Sequence, residues 1–399
     1  MVKRSLICSL LLVVQVAWFG LLGQPVALAF SSEQQLVLQA WRTVNQAYYD
    51  ETFNHQNWWL VRDRTIKQNI TDSAAAYQSI EKMLASLDEP FTRFLNPEQY
   101  RSLQVNTAGE LFGVGLQIGL QEKTKQIEVI APIVGSPAER AGIKTHDLIL
   151  QVDATPTTDL DLDTAAARMR GPAGTNISLI IQSPGQPPKE VILARQKIDL
   201  HPVIAELRPG QKGSIGYIRL AQFSAKAPQE VAAAIKNLDG KGAKAYVLDL
   251  RNNPGGLVTA GVDIARMWLD TGTIVYTVNR QGVLENFEAN HQALTSAPLA
   301  VLVNAGTASA SEILAGALQD NDRAIIVGEK TFGKGLIQSL FELPDSSGLA
   351  VTVAKYETPD HRDIHKKGIE PQIVAVANPE GVNDLSKDSQ YQAAVQALS

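Results

Sequence analysis

An alternation of short apolar runs with helical segments between residues 214 and 329 constrains the fold of this chain most strongly. The runs are SIGYIRL, AYVLDLR, LAVLVN and AIIVGE, and the helical segments lie near 226–238, 256–269 and 309–319. Parallel strands joined by helical crossovers are buried on both faces, so they are apolar and rich in β-branched residues along their whole length. We therefore predict an α/β core over residues 197–379, with a sheet covered by helices.

Two regions of different periodicity precede this core. Residues 30–107 are rich in aromatic residues and carry apolar residues at intervals of three and four, which predicts a helical N-terminal domain whose tryptophans pack inside it. From residue 108 to residue 196 the apolar period changes to two, with turn sequences such as GSP and GPAG between the runs, which predicts a small, partly open β barrel. The sequence thus predicts a multidomain α+β protein, and its polar end, residues 380–399, is expected to be a loosely held tail.

The first 29 residues have the composition of a secretory signal peptide. Lys3 and Arg4 precede an apolar run, and Ala-Leu-Ala at residues 27–29 supplies the small residues of a cleavage site. An uncleaved membrane anchor is the alternative, since the apolar run is almost long enough to span a bilayer. The only cysteine, Cys8, lies in this segment, so the mature chain has no disulfide, which fits export to a periplasm or a thylakoid lumen.

The charge and the motifs of the chain limit the classes of ligand that it is expected to bind. The formal net charge is -5 and no block of lysines and arginines occurs, so binding to nucleic acid or to an anionic membrane surface is not expected. No phosphate-loop or dinucleotide fingerprint occurs, and no cofactor is expected.

The stretch GTASASE carries three hydroxyl groups, those of Thr307, Ser309 and Ser311, between a predicted strand and a predicted helix. Nucleophiles favour such turns because the side chain is exposed and the next backbone amides can stabilise a developing oxyanion. The alternative is a structural role, in which Ser309 or Ser311 caps the helix and Glu312 completes a capping box with Ser309. No histidine lies nearby in the sequence to take a proton from any of these hydroxyls.

A second strand-to-helix turn, DLRNNPGG, covers residues 249–256. Free backbone amides at such a turn point beyond the edge of the sheet, and Gly255 and Gly256 permit a close approach. An oxyanion hole, a phosphate cradle and a plain turn all remain open from this motif alone.

A candidate base lies in GEKTFGKGLIQ, where Lys334 stands between two glycines and Gln338 follows on the same side of an extended segment. A lysine acts as a general base only when its pKa falls by about two to three units from its ordinary value, and burial among apolar groups lowers it in that direction. A solvated lysine in a glycine-rich loop is the alternative. Of the six histidines, His361 and His365 have the spacing of a metal pair, but Pro359 and Gly368 argue against the helix that such a pair needs, so no metal site is expected.

The stretches LFGVGLQI, VIAPIVGSPAERAGIKTHDLILQVDA and MRGPAGTNISLII resemble a PDZ domain of the kind found in bacterial proteases. In Phe112, Gly113, Val114 and Gly115, the glycines allow consecutive amides to turn inward and hold the terminal carboxylate of a peptide, while the following strand accepts the peptide as an added strand. A tight turn without a ligand is the alternative for this loop taken alone.

Six motifs in order along the chain resemble the carboxyl-terminal processing proteases, which are serine peptidases with a Ser-Lys dyad. They are LDEPFTRFL, the PDZ-like stretch, LDLRNNPGG, GTASASEI, GEKTFGKGLIQ and GIEP, and they cover nearly the whole mature chain. The resemblance implies Ser309 as the nucleophile, Lys334 as the general base and Gln338 as the residue that orients the lysine. It also implies that the backbone amides of Gly255 and Ala310 form the oxyanion hole.

The segment AWRTVNQAYYDETFNHQNWW is similar to the photosynthetic branch of this family, which trims the precursor of a photosystem II reaction-centre protein in the thylakoid lumen. The resemblance therefore implies a protease whose PDZ domain captures the free carboxyl terminus of a protein or peptide, such as the lumenal tail of a membrane protein. A general periplasmic tail-specific protease and a catalytically silent PDZ scaffold are the alternatives. His361 stands where relatives often carry glycine, which bears only on the shape of that loop.

Overall fold

The computed structural model describes most of the chain. The described residues are 30–121, 124, 126–133, 135–160, 162–199, 201–378 and 385–398. The predicted signal peptide, residues 1–29, lies outside them, as do residues 379–384 at the start of the predicted tail. None of the described helices combines the length and the apolar character that crossing a membrane requires.

Three helices form the N-terminal region: α1 (Ser32–Ala47), α2 (Trp58–Ile66) and α3 (Ser73–Ala85). Helix α1 begins at a capping box in which Ser31 Oγ accepts from the Gln34 N–H and Gln34 Oε1 accepts from the Ser31 N–H, both at 3.2 Å. The apolar faces of the three helices meet in one core, to which Leu343, Leu349 and Val351 from the far end of the chain contribute. The helical region therefore does not close its core alone.

The aromatic residues of this region divide between core and surface. Trp41, Trp58 and Tyr48 are buried, and the Trp41 indole N–H donates to the Trp58 carbonyl oxygen at 2.9 Å. Trp59 differs from the expected core position, since 55% of it is exposed. Adjacent residues of an α-helix point about 100° apart, so the turn that buries Trp58 leaves Trp59 on the outer surface.

The next region carries the predicted barrel. After β1 (Arg93–Leu95) and α4 (Pro97–Thr107) come β2 (Glu110–Gly113), β3 (Leu116–Leu120), β4 (Ile127–Pro132), α5 (Pro137–Arg140), β5 (Leu148–Val152), β6 (Thr155–Pro156), α6 (Leu162–Met169), β7 (Asn176–Gln182), β8 (Lys189–Ala194) and β9 (Gln196–Asp199). The antiparallel order β3-β4-β5-β7-β8 forms one sheet, with β6 paired to β5. Strands β2 and β9 pair with each other, so the chain enters and leaves this PDZ-like region through one two-stranded ribbon.

The remaining elements form the α/β core predicted from the strand and helix alternation. They are β10 (Val203–Arg208), β11 (Ser214–Leu220), α7 (Ala227–Gly240), β12 (Ala243–Asp249), α8 (Val258–Arg266), β13 (Thr273–Asn279), β14 (Gly282–Glu288), β15 (Leu299–Val303), α9 (Ala310–Asp320), β16 (Ile325–Gly328), β17 (Leu336–Glu342), β18 (Gly348–Glu357), β19 (Ile373–Val374) and α10 (Ser389–Ala397). The main sheet has the order β10-β11-β12-β15-β16-β19 and is parallel except for β10. The predicted multidomain α+β class is confirmed.

A second sheet, for which the sequence provided no prediction, has the order β1-β18-β13-β14 with β17 paired to β18. It joins β1, from the N-terminal half, to strands that follow the main sheet, with Phe94 opposite Leu349. This long-range pairing brings the LDEPFTRFL segment next to the segment that contains Lys334.

The chain end differs from the expected loose tail. Helix α10 packs Tyr391, Ala394 and Val395 against the main sheet, on the face opposite to α7, α8 and α9. Its spacing of three and one places these apolar side chains on one stripe. An ion pair between Arg251 Nη1 and Asp388 Oδ2, 2.7 Å apart, fixes the start of this helix to the turn after β12.

Candidate active site

Two loops leave the main sheet at the same edge. Strands β12 and β15 are parallel neighbours, with Asp249 opposite Leu302, so the DLRNNPGG loop and the GTASASE turn both begin at their carboxyl ends. Open α/β sheets bind their ligands at this edge. The sheet therefore brings together two motifs that lie about fifty residues apart in the sequence.

Ser309 occupies a strained turn at the start of α9. Its backbone has φ 58° and ψ -119°, a conformation that residues with a side chain rarely adopt, and it lies at the N-cap position. Its side chain is only partly buried. A strained strand-to-helix turn of this kind projects a side chain away from the sheet, which is the placement a nucleophile needs.

The other two hydroxyls of this stretch have structural roles. Thr307 is fully buried and donates to the Leu250 carbonyl oxygen at 2.8 Å. Ser311 is also fully buried and donates to the Asn253 carbonyl oxygen at 3.0 Å. Both hydroxyls tie the GTASASE turn to the neighbouring DLRNNPGG loop, so among the three only Ser309 remains accessible.

Gly255 lies directly against the Ser309 turn. A Cβ atom at this position would be 2.8 Å from Ser309 Cβ and 2.9 Å from the Ala310 nitrogen, and φ is 95°, so only glycine fits. The Ala310 N–H belongs to the first turn of α9, where a helix leaves its amides without intrahelical acceptors. The predicted oxyanion-hole residues Gly255 and Ala310 are therefore adjacent to each other and to Ser309.

Asn253 organises the loop that carries Gly255. It is fully buried, its Nδ2 donates to the Leu220 carbonyl oxygen at 2.8 Å, and its Oδ1 accepts from the Gly255 N–H at 2.9 Å. The Gly255 amide is thus engaged by Asn253, whereas stabilising an oxyanion requires it to turn toward the substrate.

Lys334 is half-buried in the segment that precedes β17. Its Nζ is 4.7 Å from the centroid of the Phe91 ring, within the range of a cation–π contact. Burial lowers the pKa of Lys334, and the nearby positive charge of Arg93 lowers it further, while Glu89 and Glu312 oppose the shift. The direction of the pKa shift is the one that a lysine acting as a base requires.

The structure brings Ser309 and Lys334 together through Glu312 rather than through a direct hydrogen bond. Between these two described residues no hydrogen bond joins Ser309 Oγ to Lys334 Nζ. Instead, Glu312 Oε2 accepts from the backbone N–H of Ser309 and from that of Lys334, each at 2.9 Å. Glu312 Oε1 accepts from the Gly333 N–H and from Thr331 Oγ1. One fully buried carboxylate thus holds the backbone of both predicted catalytic residues.

Tyr356 supports the same turn from the second sheet. Its hydroxyl donates to the Ser309 carbonyl oxygen at 3.1 Å. Burial raises the pKa of Tyr356 well above its ordinary value, and the charge of Glu312 adds to this shift, so the hydroxyl keeps its proton. The bond helps to hold the strained conformation of Ser309.

Gln338 contacts a polar network and makes no hydrogen bond to Lys334 within the described residues. Its Nε2 donates to Thr352 Oγ1 at 3.2 Å, and Thr352 Oγ1 donates to Glu89 Oε2 at 2.6 Å. Glu89 also accepts from the Thr92 side chain and backbone. The network joins β17 and β18 to the loop that carries Phe91, whose ring contacts Lys334.

The predicted peptide-binding residues divide between two cavities. A small cavity of about 60 Å³, which we call the peptide groove after its predicted role, is lined by Gly113, Val114 and Gly115 together with Ala166, Met169 and Arg170. Gly115 has φ 78°, and a Cβ there would lie 2.2 Å from Ser136 Cβ, so this turn requires glycine. Phe112 is placed elsewhere and borders a larger cavity next to α4.

The two histidines that had the spacing of a metal pair contact different groups. His361 stacks on Tyr276 with ring centroids 4.3 Å apart, and its Nδ1 lies 3.0 Å from Glu357 Oε2. His365 packs its backbone against Gly335 and its buried Nδ1 has no hydrogen-bond partner. Over the part of the chain that the structure describes, no group of three or more metal-ligating side chains is placed to hold an ion.

Several residues of the site have no predicted role, or only a minor one, in the sequence alone. The Ser-x-x-Glu spacing predicts only a capping role for Glu312, and this spacing is the one local signal for the residue. Glu89, Phe91 and Arg93 belong to the LDEPFTRFL motif, which had no assigned role. Tyr356 has no local signal, because its contact with the Ser309 backbone arises only when the second sheet forms.

Replacing Glu312 by glutamine tests its positioning role. The amide group of the introduced glutamine would face backbone N–H donors that need an acceptor, so we expect a loss of about 2–4 kcal/mol of stability and a fall in kcat of about ten- to a hundredfold as the turn relaxes. Thermal melting and steady-state kinetics measure the two effects. Glu342→Gln, at an exposed position in β17, is the matched control, and wild-type kcat in Glu312→Gln would contradict the assignment.

Two family models match the chain. Residues 214–375 match the model described as peptidase family S41, and residues 128–183 match that of a PDZ domain. A carboxyl-terminal-processing protease of Synechocystis sp. is 61% identical over 381 residues, which cover 94% of this chain and 89% of the relative. Carboxyl-terminal-processing peptidase 2 of Arabidopsis thaliana, a chloroplastic protein, is 45% identical over 359 residues, which cover 87% of this chain and 70% of the relative.

Solved structures have the same architecture. The photosystem II D1 C-terminal processing protease is 40% identical, with a TM-score of 0.62 over 92% of this chain and 98% of that chain. A putative S41 protease from Bacteroides fragilis, at 15% identity and a TM-score of 0.57 over 90% of this chain and 96% of that chain, shares the fold.

Proposed function

The chain belongs to peptidase family S41 and is a carboxyl-terminal processing serine protease, and we propose that Ser309 is its nucleophile and Lys334 its general base. The single observation that supports this most directly is the strained, accessible Ser309 turn, whose backbone shares the Glu312 carboxylate with the backbone of Lys334. The two other hydroxyls of the turn are committed to backbone acceptors.

The proposed reaction begins with neutral Lys334. Its Nζ turns from the Phe91 ring toward Ser309 and takes the hydroxyl proton while Ser309 Oγ attacks the scissile carbonyl carbon. The amides of Gly255 and Ala310 stabilise the oxyanion. The lysine then gives the proton to the leaving amine. In the second half of the reaction, neutral Lys334 takes a proton from a water molecule that attacks the acyl carbonyl carbon, and it returns this proton to Ser309 Oγ as the acyl bond breaks.

Gln338 acts indirectly in this proposal. Gln338 donates to Thr352, which donates to Glu89, and this chain of hydrogen bonds holds the loop whose Phe91 ring contacts Lys334. The role is thus a positioning one, exerted through β17 and the loop that carries Phe91. The Gly255 amide becomes available when substrate draws it away from Asn253.

For the substrate, we propose the carboxyl-terminal extension of a photosystem II reaction-centre protein. The solved structure that is 40% identical to this chain is that of a photosystem II D1 C-terminal processing protease. Cyanobacterial and chloroplastic relatives, together with the signal-peptide pattern of residues 1–29, support a location in the thylakoid lumen. The alternative location is a periplasm, where the same chemistry would serve a general tail-specific protease.

Incubation with a synthetic precursor tail tests this proposal. The mature chain should release one defined carboxyl-terminal segment from the tail peptide, and mass spectrometry of the products identifies the bond that is cut. A tail of the same composition in scrambled order is the control. Cleavage of both peptides at many bonds would favour a general tail-specific protease, and cleavage of neither would show that this tail is not the substrate.

Amidation of the substrate terminus tests the peptide groove. We propose that the amides of the Gly113–Gly115 turn bind the terminal carboxylate, so an amidated peptide loses a charged acceptor. We expect kcat/KM to fall about tenfold, mainly through KM. Steady-state cleavage of matched free-acid and amidated peptides measures the effect, and equal turnover of the two would show that this turn does not read the terminus.

A further inference from the structure

A cavity of about 580 Å³ lies where α4 meets the PDZ-like region, and we call it the junction cavity. From α4 it is lined by Glu98, Arg101, Ser102 and Val105, a spacing of three, one and three that places these residues on one helical face. The opposite face of α4 packs Tyr100 into the protein. One face of α4 thus holds the helix in place and the other borders open space.

The PDZ-like region supplies the other wall. Phe112 comes from β2, and Arg170 and Pro172 follow α6. Arg170 also lines the peptide groove, so the two cavities share this residue. The junction cavity has the volume of ordinary ligand sites, whereas the peptide groove, at about 60 Å³, holds far less.

The lining carries an excess of positive charge over an apolar surface. Arg101 and Arg170 contribute two guanidinium groups against the single carboxylate of Glu98. Neither arginine forms an ion pair with another described residue, and both are exposed. Val105, Phe112 and Pro172 provide the apolar part, and a guanidinium beside such a surface favours a carboxylate ligand.

We propose that the junction cavity is a second substrate site, which binds a part of the substrate tail where an acidic side chain lies next to an apolar one. The inference rests on the proposed function, because only a protease that engages tails presents one to this surface. The terminal carboxylate has its own place at the Gly113–Gly115 turn. Because Arg101 lies on α4 and not on that turn, we assign it to a side chain of the tail that precedes the terminal residue.

A pair of peptides tests this site with the intact enzyme. The two share length, apolar residues, cleavage site and a free terminus, but one has two aspartates where the other has two asparagines within its last residues. The wild-type ratio of kcat/KM, aspartate peptide over asparagine peptide, should be roughly three to ten, from KM. Arg101→Gln should bring the ratio to about one, Arg101→Glu should bring it below one, and Arg101→Lys should keep most of it.

Gln104→Glu is the matched control, because it adds a negative charge at an exposed position of α4 that does not line the cavity. A wild-type ratio near one, or an unchanged ratio in both Arg101→Gln and Arg101→Glu, overturns the proposal. If the Arg101 variants change the oligomeric state, as measured by light scattering, and leave the kcat/KM ratio of the two peptides unchanged, the cavity is instead an interface between copies of this chain. Cleavage of the asparagine peptide by wild type but not by Ser309→Ala keeps the proposed function intact in either case.

Discussion

Ser309→Ala is expected to abolish peptide cleavage while the protein stays folded. The substitution removes the attacking oxygen, and the residual rate should fall by at least about four orders of magnitude, because the oxyanion hole and binding alone supply only a small part of the acceleration. The side chain is partly exposed, so its loss leaves no large cavity. Single-turnover cleavage of a tail peptide, with a thermal melt of the same sample, measures both quantities.

Ser311→Ala is the matched control for this experiment. It removes a hydroxyl only two residues away, which donates to the Asn253 carbonyl oxygen at 3.0 Å. We expect a stability loss of about 1 kcal/mol and activity within about tenfold of wild type. An inactive but folded Ser311→Ala beside an active Ser309→Ala would reverse the assignment of the nucleophile.

Lys334→Ala and Lys334→Arg are both expected to lower kcat/KM by at least about a thousandfold, since no neutral amine remains to take the serine proton. Arginine keeps the positive charge and most of the length, but its guanidinium does not lose a proton in the working pH range. The arginine variant therefore separates the loss of a base from the loss of a charge. Cleavage kinetics at several pH values measure the effect.

The pH profile of the wild-type enzyme should show an acid limb that reports Lys334. Burial disfavours the ammonium form, so the folded-state pKa lies below the ordinary value for lysine. Above that lowered pKa the amine is neutral and active, and as the pH falls through it the lysine gains a proton and activity is lost. The limb in kcat/KM gives the pKa of the free enzyme.

His365 provides the control for this assignment. It packs beside Gly335, next to Lys334 in the chain, and burial lowers its pKa. His365→Asn should keep the acid limb with at most a modest loss of activity. Disappearance of both the limb and the activity in this variant would replace the Ser-Lys mechanism with a histidine-dependent one.

Local patterns predicted the main sheet well. The runs predicted at SIGYIRL and LAVLVN correspond to β11 and β15, and the helix predicted near 309–319 corresponds to α9. Strand and helix periods depend on residues at most four positions apart, so a single sequence records them directly. The second sheet was not predicted, because β1 pairs with β18 across more than two hundred residues and no spacing signals that pairing.

At the site, the sequence alone pointed to the hydroxyl-bearing turn, to the glycine loop before it and to the lysine between two glycines. It could not choose between Ser309 and Ser311 without the family resemblance, since both stand in the same run of small residues. The choice depends on burial: Ser311 lies inside, bonded to Asn253, and Ser309 is left accessible by the strained turn.

The strands and helices of the main sheet are recorded in short-range patterns and the family in motif order, and the sequence by itself determined these. Packing alone decided that Glu312 holds the backbone of Ser309 and Lys334, that α10 covers one face of the sheet instead of forming a loose tail, and that Phe112 borders the junction cavity. The physical reason is that the contacts of Glu312 with the Lys334 segment, of α10 with the main sheet and of Phe112 with the residues after α6 join parts of the chain that no local spacing connects. Their partners are selected by burial and by the need to satisfy buried polar groups once the sheets have formed.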